Sequence, residues 1–356
     1  MIAVTRASIA PPGPFNPGGR SRTTAVWLFV VAVLVFMMVV VGGATRLTGS
    51  GLSITEWKPI MGALPPFNET DWTDTFRKYR GSSQFHLINQ GISLSEFKFL
   101  FWWEWAHRLL ARWVGVVFAL PFAVLLGLRG VPRRLIGPCF VLLGLGGLQG
   151  LVGWWMVKSG LEGRASVAPE RLAVHLGLAL LLLSALVWTG LEAWSGNGRR
   201  DGSAQHGWRW PSAIFAGGVF LQCLMGALVA GGGAGRVDND WPLMAGHVFP
   251  VDYWQGAVWA TLAHGKAAVQ FNHRLLAYGL IVFGVGLAVI AARSRTVPRA
   301  VLFTSQLVVV LLMAQAGLGV ATLWAGDPLG LALAHQANAA VLLSVSIFLV
   351  WRCRRI

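Results

Sequence analysis

Eight runs of apolar residues, each about 20 positions or longer, set the pattern of this chain: 25–45, 99–128, 135–157, 170–192, 211–231, 265–292, 300–323 and 331–351. A helix rising about 1.5 Å per residue crosses about 30 Å of hydrocarbon in that length. Several runs contain Gly and Pro, which lipid-spanning helices accept because neighbours satisfy the freed backbone groups. The predicted fold class is an all-α integral membrane protein with eight transmembrane helices. The first run ends in "GGATR", which looks like a signal-peptidase site, but it is longer than a normal signal core, so a retained helix is expected.

Composition agrees, with 55% hydrophobic and 12% charged residues, outside the soluble range. The net charge of +15 would suit a nucleic-acid partner, but its distribution excludes that reading. The arginines gather at alternate helix ends, as at Arg20 and Arg22, Arg133 and Arg134, Arg199 and Arg200, Arg293 and Arg295, and Arg354 and Arg355. This positive-inside pattern puts both termini in the cytoplasm. Residues 1–24, rich in Pro, Gly and Arg, read as a disordered cytoplasmic tail, and 352–356 as a second short one. Cys139, Cys223 and Cys353 all lie outside the outer loops and form no Cys-x-x-Cys, so neither a disulfide nor a zinc ribbon is implied.

The chain also repeats itself. "WEWAHRLLARWVG" (103–115) aligns with "VQFNHRLLAYGLI" (269–281), "LQGLVGWWM" (148–156) with "AQAGLGVATLW" (314–324), and "LAVHLGLALLLLS" (172–184) with "LALAHQANAAVLLS" (331–344). Each half is then a four-helix unit, 25–192 and 211–351, joined by a polar connector at 193–210. Both units start in the cytoplasm, so two parallel four-helix bundles related by a pseudo-twofold axis along the membrane normal are expected.

Each half carries one histidine on its second helix and one on its fourth: His107 and His175, then His273 and His335, separated by 68 and 62 residues. All four are expected in the first third of their helices, near the outer leaflet. A single intramembrane histidine can be hydrogen-bonding glue. Four at matching positions point to function, because ionisable groups in lipid are costly. Facing helices of a bundle are where haem sites are built, and haem iron takes imidazole ligands. The pairs His107/His175 and His273/His335 are therefore candidate axial ligands. Arg108 and Arg274, next to the first histidine of each pair, would suit haem propionates or snorkel to headgroups. His86, His206, His247 and His264 read as ordinary interfacial residues.

The halves differ three residues before that histidine, where Glu104 faces Gln270 in the alignment. Glu104 and His107 share a helix face. A carboxylate in one site only suggests chemistry on the ligand there, such as proton relay or stabilisation of a developing cation. Glu56 of "ITEWKP" matches Asp240 of "DNDWP", with Trp57 and Trp241 as interfacial anchors, which suggests a shared loop geometry.

The "HRLLA" helices, "GGATRLTGSGLSITEWKPIMGALPP", the Glu-x-x-His of 104–107 and "AHQANAA" at 334–340 together resemble the haem A synthase family, over about 25–351. The resemblance implies oxidation of the C8 methyl of haem O to a formyl group, giving haem A for cytochrome c oxidase. It implies a haem b cofactor on His273 and His335, and a substrate site at His107 and His175 with the family's Glu-x-x-His glutamate at Glu104, both toward the periplasmic side of a bacterial inner membrane. An electron donor, haem O synthase and oxidase assembly factors are the implied partners; homo-oligomerisation is left open. Some bacterial members carry a cysteine pair in the first outer loop, whereas 46–98 here holds none, which excludes a thiol relay there. The competing class is a non-enzymatic bis-His dihaem cytochrome. Placing all four histidines at one face argues against transmembrane electron transfer, and the Glu104/Gln270 difference favours chemistry. A transporter is disfavoured by the scarcity of polar groups at the midplane.

Overall fold

The computed structural model describes residues 20–57, 61–196 and 206–354. The eight apolar runs correspond to eight long helices: α1 (Arg22–Leu47), α4 (Leu94–Gly127), α5 (Arg133–Leu161), α6 (Pro169–Ser195), α7 (His206–Gly232), α9 (Lys266–Arg293), α10 (Arg299–Trp324) and α11 (Leu329–Arg354). Each is long and apolar enough to cross a membrane, so the chain is a multi-pass helical membrane protein. Three short helices, α2 (Glu69–Arg80), α3 (Ser83–Ile88) and α8 (Val258–His264), lie in the segments between them. Among the described residues no strand occurs, and one isolated bridge pairs Met244 with His247. The tail expected at 1–24 lies outside the described residues as far as 19, as do 197–205 of the connector and the final two residues.

The helices outrun the apolar stretches because their caps sit beyond them. Ser21 opens α1 by accepting the Thr24 N–H at 3.3 Å. Ser93 and Glu96 form a reciprocal capping box that starts α4 five residues before its apolar run. Pro169 occupies the first turn of α6, where its missing N–H costs nothing. One expectation fails as a result: His107 is residue 14 of the 34 in α4, past the first third. His175, His273 and His335 are the seventh, eighth and seventh residues of their helices.

Within the first half, α1 packs on α4 and α6, and α5 on α6; in the second, α7 packs on α9 and α11, and α10 on α9 and α11. The corresponding helices thus make corresponding contacts. The halves meet where α6 touches α7 and α11, and where α1 touches α11. The result is a centre of α1, α6, α7 and α11, two helices from each half. A single buried apolar cluster runs through both, from Leu28 and Leu186 to Phe215 and Leu343.

Polar contacts close the two ends. At one end the Ser21 N–H donates to Ala193 O at 2.9 Å, Arg134 pairs with Glu192 at 3.2 Å, and Trp351 Nε1 donates to Glu192 at 2.8 Å. At the other, Trp72 and Tyr79 of α2 pack with Phe97 and Phe101 of α4, and Phe85 of α3 lies against them. Gln84 of α3 accepts from the Tyr79 hydroxyl at 3.0 Å and donates to Gly49 O at 2.9 Å, which ties this cap to the end of α1.

Candidate functional site

Each of the four repeated histidines is seated against a glycine of the membrane helix before its own. A Cβ at Gly42 of α1 would lie 3.2 Å from His107 Nε2, and one at Gly226 of α7 would lie 3.2 Å from His273 Cε1. A Cβ at Gly153 of α5 or Gly319 of α10 would come to 2.9 Å from Cε1 of His175 or His335. All four separations are inside ordinary van der Waals contact, so each ring occupies space that any other residue would fill. The histidines are half-buried, which leaves each ring surface for a ligand. The helices that carry His107 and His175, α4 and α6, both pack on α1, and those that carry His273 and His335, α9 and α11, both pack on α7 and α10.

Three of these seats have a second component. One turn before the glycine stands Gln149, Gln222 or Gln315. The Gln149 amide nitrogen lies 3.2 and 3.4 Å from the His175 ring nitrogens and donates to His175 O at 3.1 Å. Gln222 lies 3.1 and 3.3 Å from those of His273 and donates to His273 O at 2.9 Å. Gln315 lies 3.1 and 3.2 Å from those of His335, and its own oxygen accepts from Asn338 at 2.8 Å. In the fourth seat the same position is Met38. Sequence reasoning missed these residues; the signal was the spacing Gln-x-x-x-Gly at 149–153, 222–226 and 315–319.

Glu104 and Arg108 act on the loop that follows α1. Glu104, 2% exposed, accepts from Ser53 Oγ at 2.8 Å, from the Ile54 N–H at 2.7 Å and from Arg108 at 2.6 Å. Arg108 also donates to Ile54 O at 2.8 Å and Glu56 O at 2.9 Å. The second half repeats the device with opposite polarity. Gln270 donates to Asp238 O at 3.0 Å, and Arg274 donates to the carbonyls of Asp238, Asp240 and Leu243 at 2.9–3.0 Å. Both arginines thus have loop carbonyls as partners. Asp240 shapes its own turn: N–H groups of Gly246 and Ala245 donate to its carboxylate, each at 3.0 Å, and hold its pKa below the usual value.

Other candidates sit elsewhere. Glu56 pairs with Lys78 at 3.2 Å, and Trp57 lies under the Arg108 guanidinium at 5.9 Å. Trp102 packs edge-on against Trp105 at 5.3 Å and tilted against Trp72 at 5.7 Å. His264 lines a separate cavity of about 310 Å³ at the mouth of α9, together with Asp252 and Lys266.

Fold and site together define a multi-pass helical membrane protein that presents imidazoles from four of its spans. A family model described as COX15-CtaA, cytochrome oxidase assembly protein, matches residues 25–347. The chain is 56% identical over 341 residues to a heme A synthase of Caulobacter sp. (strain K31), covering 96% of this chain and 99% of the relative. It is 46% identical over 329 residues to a heme A synthase of Hyphomonas neptunium, covering 92% of each. The chain belongs to the COX15-CtaA family, the haem A synthases.

Proposed function

We propose that this chain oxidises the C8 methyl of haem O to a formyl group, giving haem A, at the pair His107/His175, while His273/His335 hold a haem b. The fourfold histidine-on-glycine seat is the observation that carries the reading. Each pair offers two imidazoles, and imidazole is a ligand type that haem iron takes, so His107 with His175 and His273 with His335 would hold such a group. Among the described residues no three His, Cys, Asp or Glu side chains converge as a bare ion would need. The glycine cradles and the buried, unbonded oxygens of Gln149 and Gln222 fit side chains arranged around a ligand. Family membership favours the enzyme over an electron-transfer cytochrome.

Bound haem iron supplies the redox chemistry that side chains lack. The chain's own part is to seat, orient and enclose. His107 and His175 hold the substrate, and His273 and His335 the cofactor. Glu104, one turn from His107, places a carboxylate beside the substrate site, with its Oε1 paired to Arg108. Arg108 and Arg274 pin the loops and place positive charge where haem carboxylates need it. The same reading has two four-helix units, 25–192 and 211–351, around a pseudo-twofold axis. It places the arginine-rich end in the cytoplasm and both sites toward the periplasm, with an electron donor and haem O synthase as partners in oxidase assembly.

The test is expression in cells that make haem O but lack their own synthase, followed by chromatography of extracted haems. Haem A is expected under aerobic conditions, and haem O alone would overturn the proposal. In the purified protein, His273→Ala and His335→Ala should each remove the low-spin b-type absorption; its survival in both would refute the ligand assignment.

A further inference from the structure

The two halves differ in how their second and third spans meet. In the second half α9 and α10 pack on each other, whereas α4 and α5, which correspond to them in the first, barely touch. Beside the short turn that joins α4 to α5 the seam is closed. Phe122 meets Phe140 edge-on at 5.1 Å, and Phe118, Phe122, Cys139 and Leu142 are buried in the core cluster. Farther from the turn the same two helix faces come open. Ala111 and Gly115 share the face of α4 that carries Phe118, and Gly146 and Gly150 share the face of α5 that carries Leu142; all four are exposed. A Cβ at Gly115, Gly146 or Gly150 would meet nothing within 4 Å. One turn beyond Ala111 stands His107, and one turn beyond Gly150 stands Gly153, the seat of His175. The gap therefore leads to the first histidine pair.

The second half has these positions filled. Leu312 stands where the first half has Gly146, Ala316 where it has Gly150, and Ile281 where it has Gly115. Leu312 is buried and enters a notch at Gly284, where an added Cβ would lie 2.9 Å from its Cδ2. The first half has Phe118 in place of Gly284, so it lacks both the knob and the hole. A cofactor that stays needs no door, whereas a substrate that lives in the bilayer does. Haem O carries a long isoprenoid chain, and a route from the side spares that chain a passage through water. The Gln149 side-chain oxygen, buried and without a hydrogen-bonding partner among the described residues, stands on α5 between Gly146 and Gly153. It gives the inner end of the gap a polar group for an arriving ligand.

We propose that the seam between α4 and α5, lined by Gly146 and Gly150, is the side entrance through which haem O passes between the bilayer and the His107/His175 site, while Leu312 in the Gly284 notch keeps the second half closed on its haem. The inference rests on the substrate reading of the first pair, as proposed above.

Haem transfer into the purified full chain, held in phosphatidylcholine nanodiscs with its haem b bound, tests it. Haem O is supplied in phosphatidylcholine vesicles, and its arrival and release are followed by stopped-flow absorbance. Gly146→Leu gives α5 the residue that α10 carries and should slow uptake and release alike by about tenfold, or about 1.4 kcal/mol on the barrier to passage. A barrier changes both rates and leaves the final occupancy unchanged; a wall of the binding site would change occupancy instead. Gly137→Leu is the control: it lies nine residues earlier, on the opposite face of α5, where a Cβ also meets nothing within 4 Å, and it should transfer haem O at the wild-type rate. Leu312→Gly should let the resident haem exchange with isotopically labelled haem b. Wild-type uptake in Gly146→Leu, or a change in its occupancy alone, would overturn the entrance, and a resident haem that stays put in Leu312→Gly would overturn the closure of the second half. The substitutions act on different halves, so misfolding of one leaves the other decisive. A wild type that takes up no haem O would refute the substrate-site reading itself, which separates the two failures.

Discussion

A single methyl group should uncouple haem ligation from folding. In Gly319→Ala the new carbon would stand 2.9 Å from His335 Cε1, 3.5 Å from Nδ1 and 3.7 Å from Nε2. Carbon–carbon contacts settle near 3.5–4.0 Å, so the ring must retreat by about 0.6–1 Å. It has nowhere easy to go, because the Gln315 amide already sits 3.1 Å from Nδ1. Overpacking of this kind costs about 1–3 kcal/mol, while Gly→Ala within a helix returns about 1 kcal/mol. Net stability should therefore fall by no more than about 2 kcal/mol, yet ligating groups tolerate only about 0.5 Å of displacement. Gly317 provides the control: it lies on the same helix, and a Cβ there meets nothing within 4 Å. Thermal unfolding followed by circular dichroism, with haem content and the reduced-minus-oxidised spectrum on the same samples, separates the two effects. Gly317→Ala should keep haem and match or exceed wild-type stability. Gly319→Ala should unfold close to wild type while losing the low-spin spectrum of the second pair. Wild-type haem content and spectrum in Gly319→Ala would refute the cradle.

Two further outcomes are expected. Glu104→Gln should cost about 2 kcal/mol through the lost charge-assisted bond to Arg108, and Ser53→Ala about 1 kcal/mol through one hydrogen bond to the same carboxylate. At equal haem loading, haem A formation should collapse in Glu104→Gln and persist in Ser53→Ala; parallel losses would make Glu104 a loop anchor alone. Asp240 gives the second outcome. The Gly246 N–H, then that of Ala245, holds its carboxyl below the usual 3.8, so its contribution is present above the unfolded value and lost as pH falls through the lowered one. Trp241 fluorescence should report loosening of the 240–246 turn between about pH 5 and pH 2, and Asp240→Asn should abolish that step.

The transmembrane helices were legible because each span must satisfy its backbone internally across a fixed thickness, which leaves a long apolar run. Their ends were less so, since caps such as Ser93–Glu96 lie beyond the run. The histidines stood out because ionisable residues in lipid are rare and these repeat. Their seats did not, because four glycines among 44 carry no mark until α1 is set against α4 and α5 against α6. Loop returns are equally silent: no periodicity reports that Arg108 and Arg274 reach the carbonyls of loops more than 30 residues away.

That last point changes the weight of the most informative difference between the halves. Glu104 meets donors, the Ser53 hydroxyl and the Ile54 N–H, whereas Gln270 meets an acceptor, the Asp238 carbonyl. An acid in one half and an amide in the other are what the two loops require locally, because a buried polar group must match the partner it faces. The asymmetry therefore has a packing cause that operates whether or not protons move there.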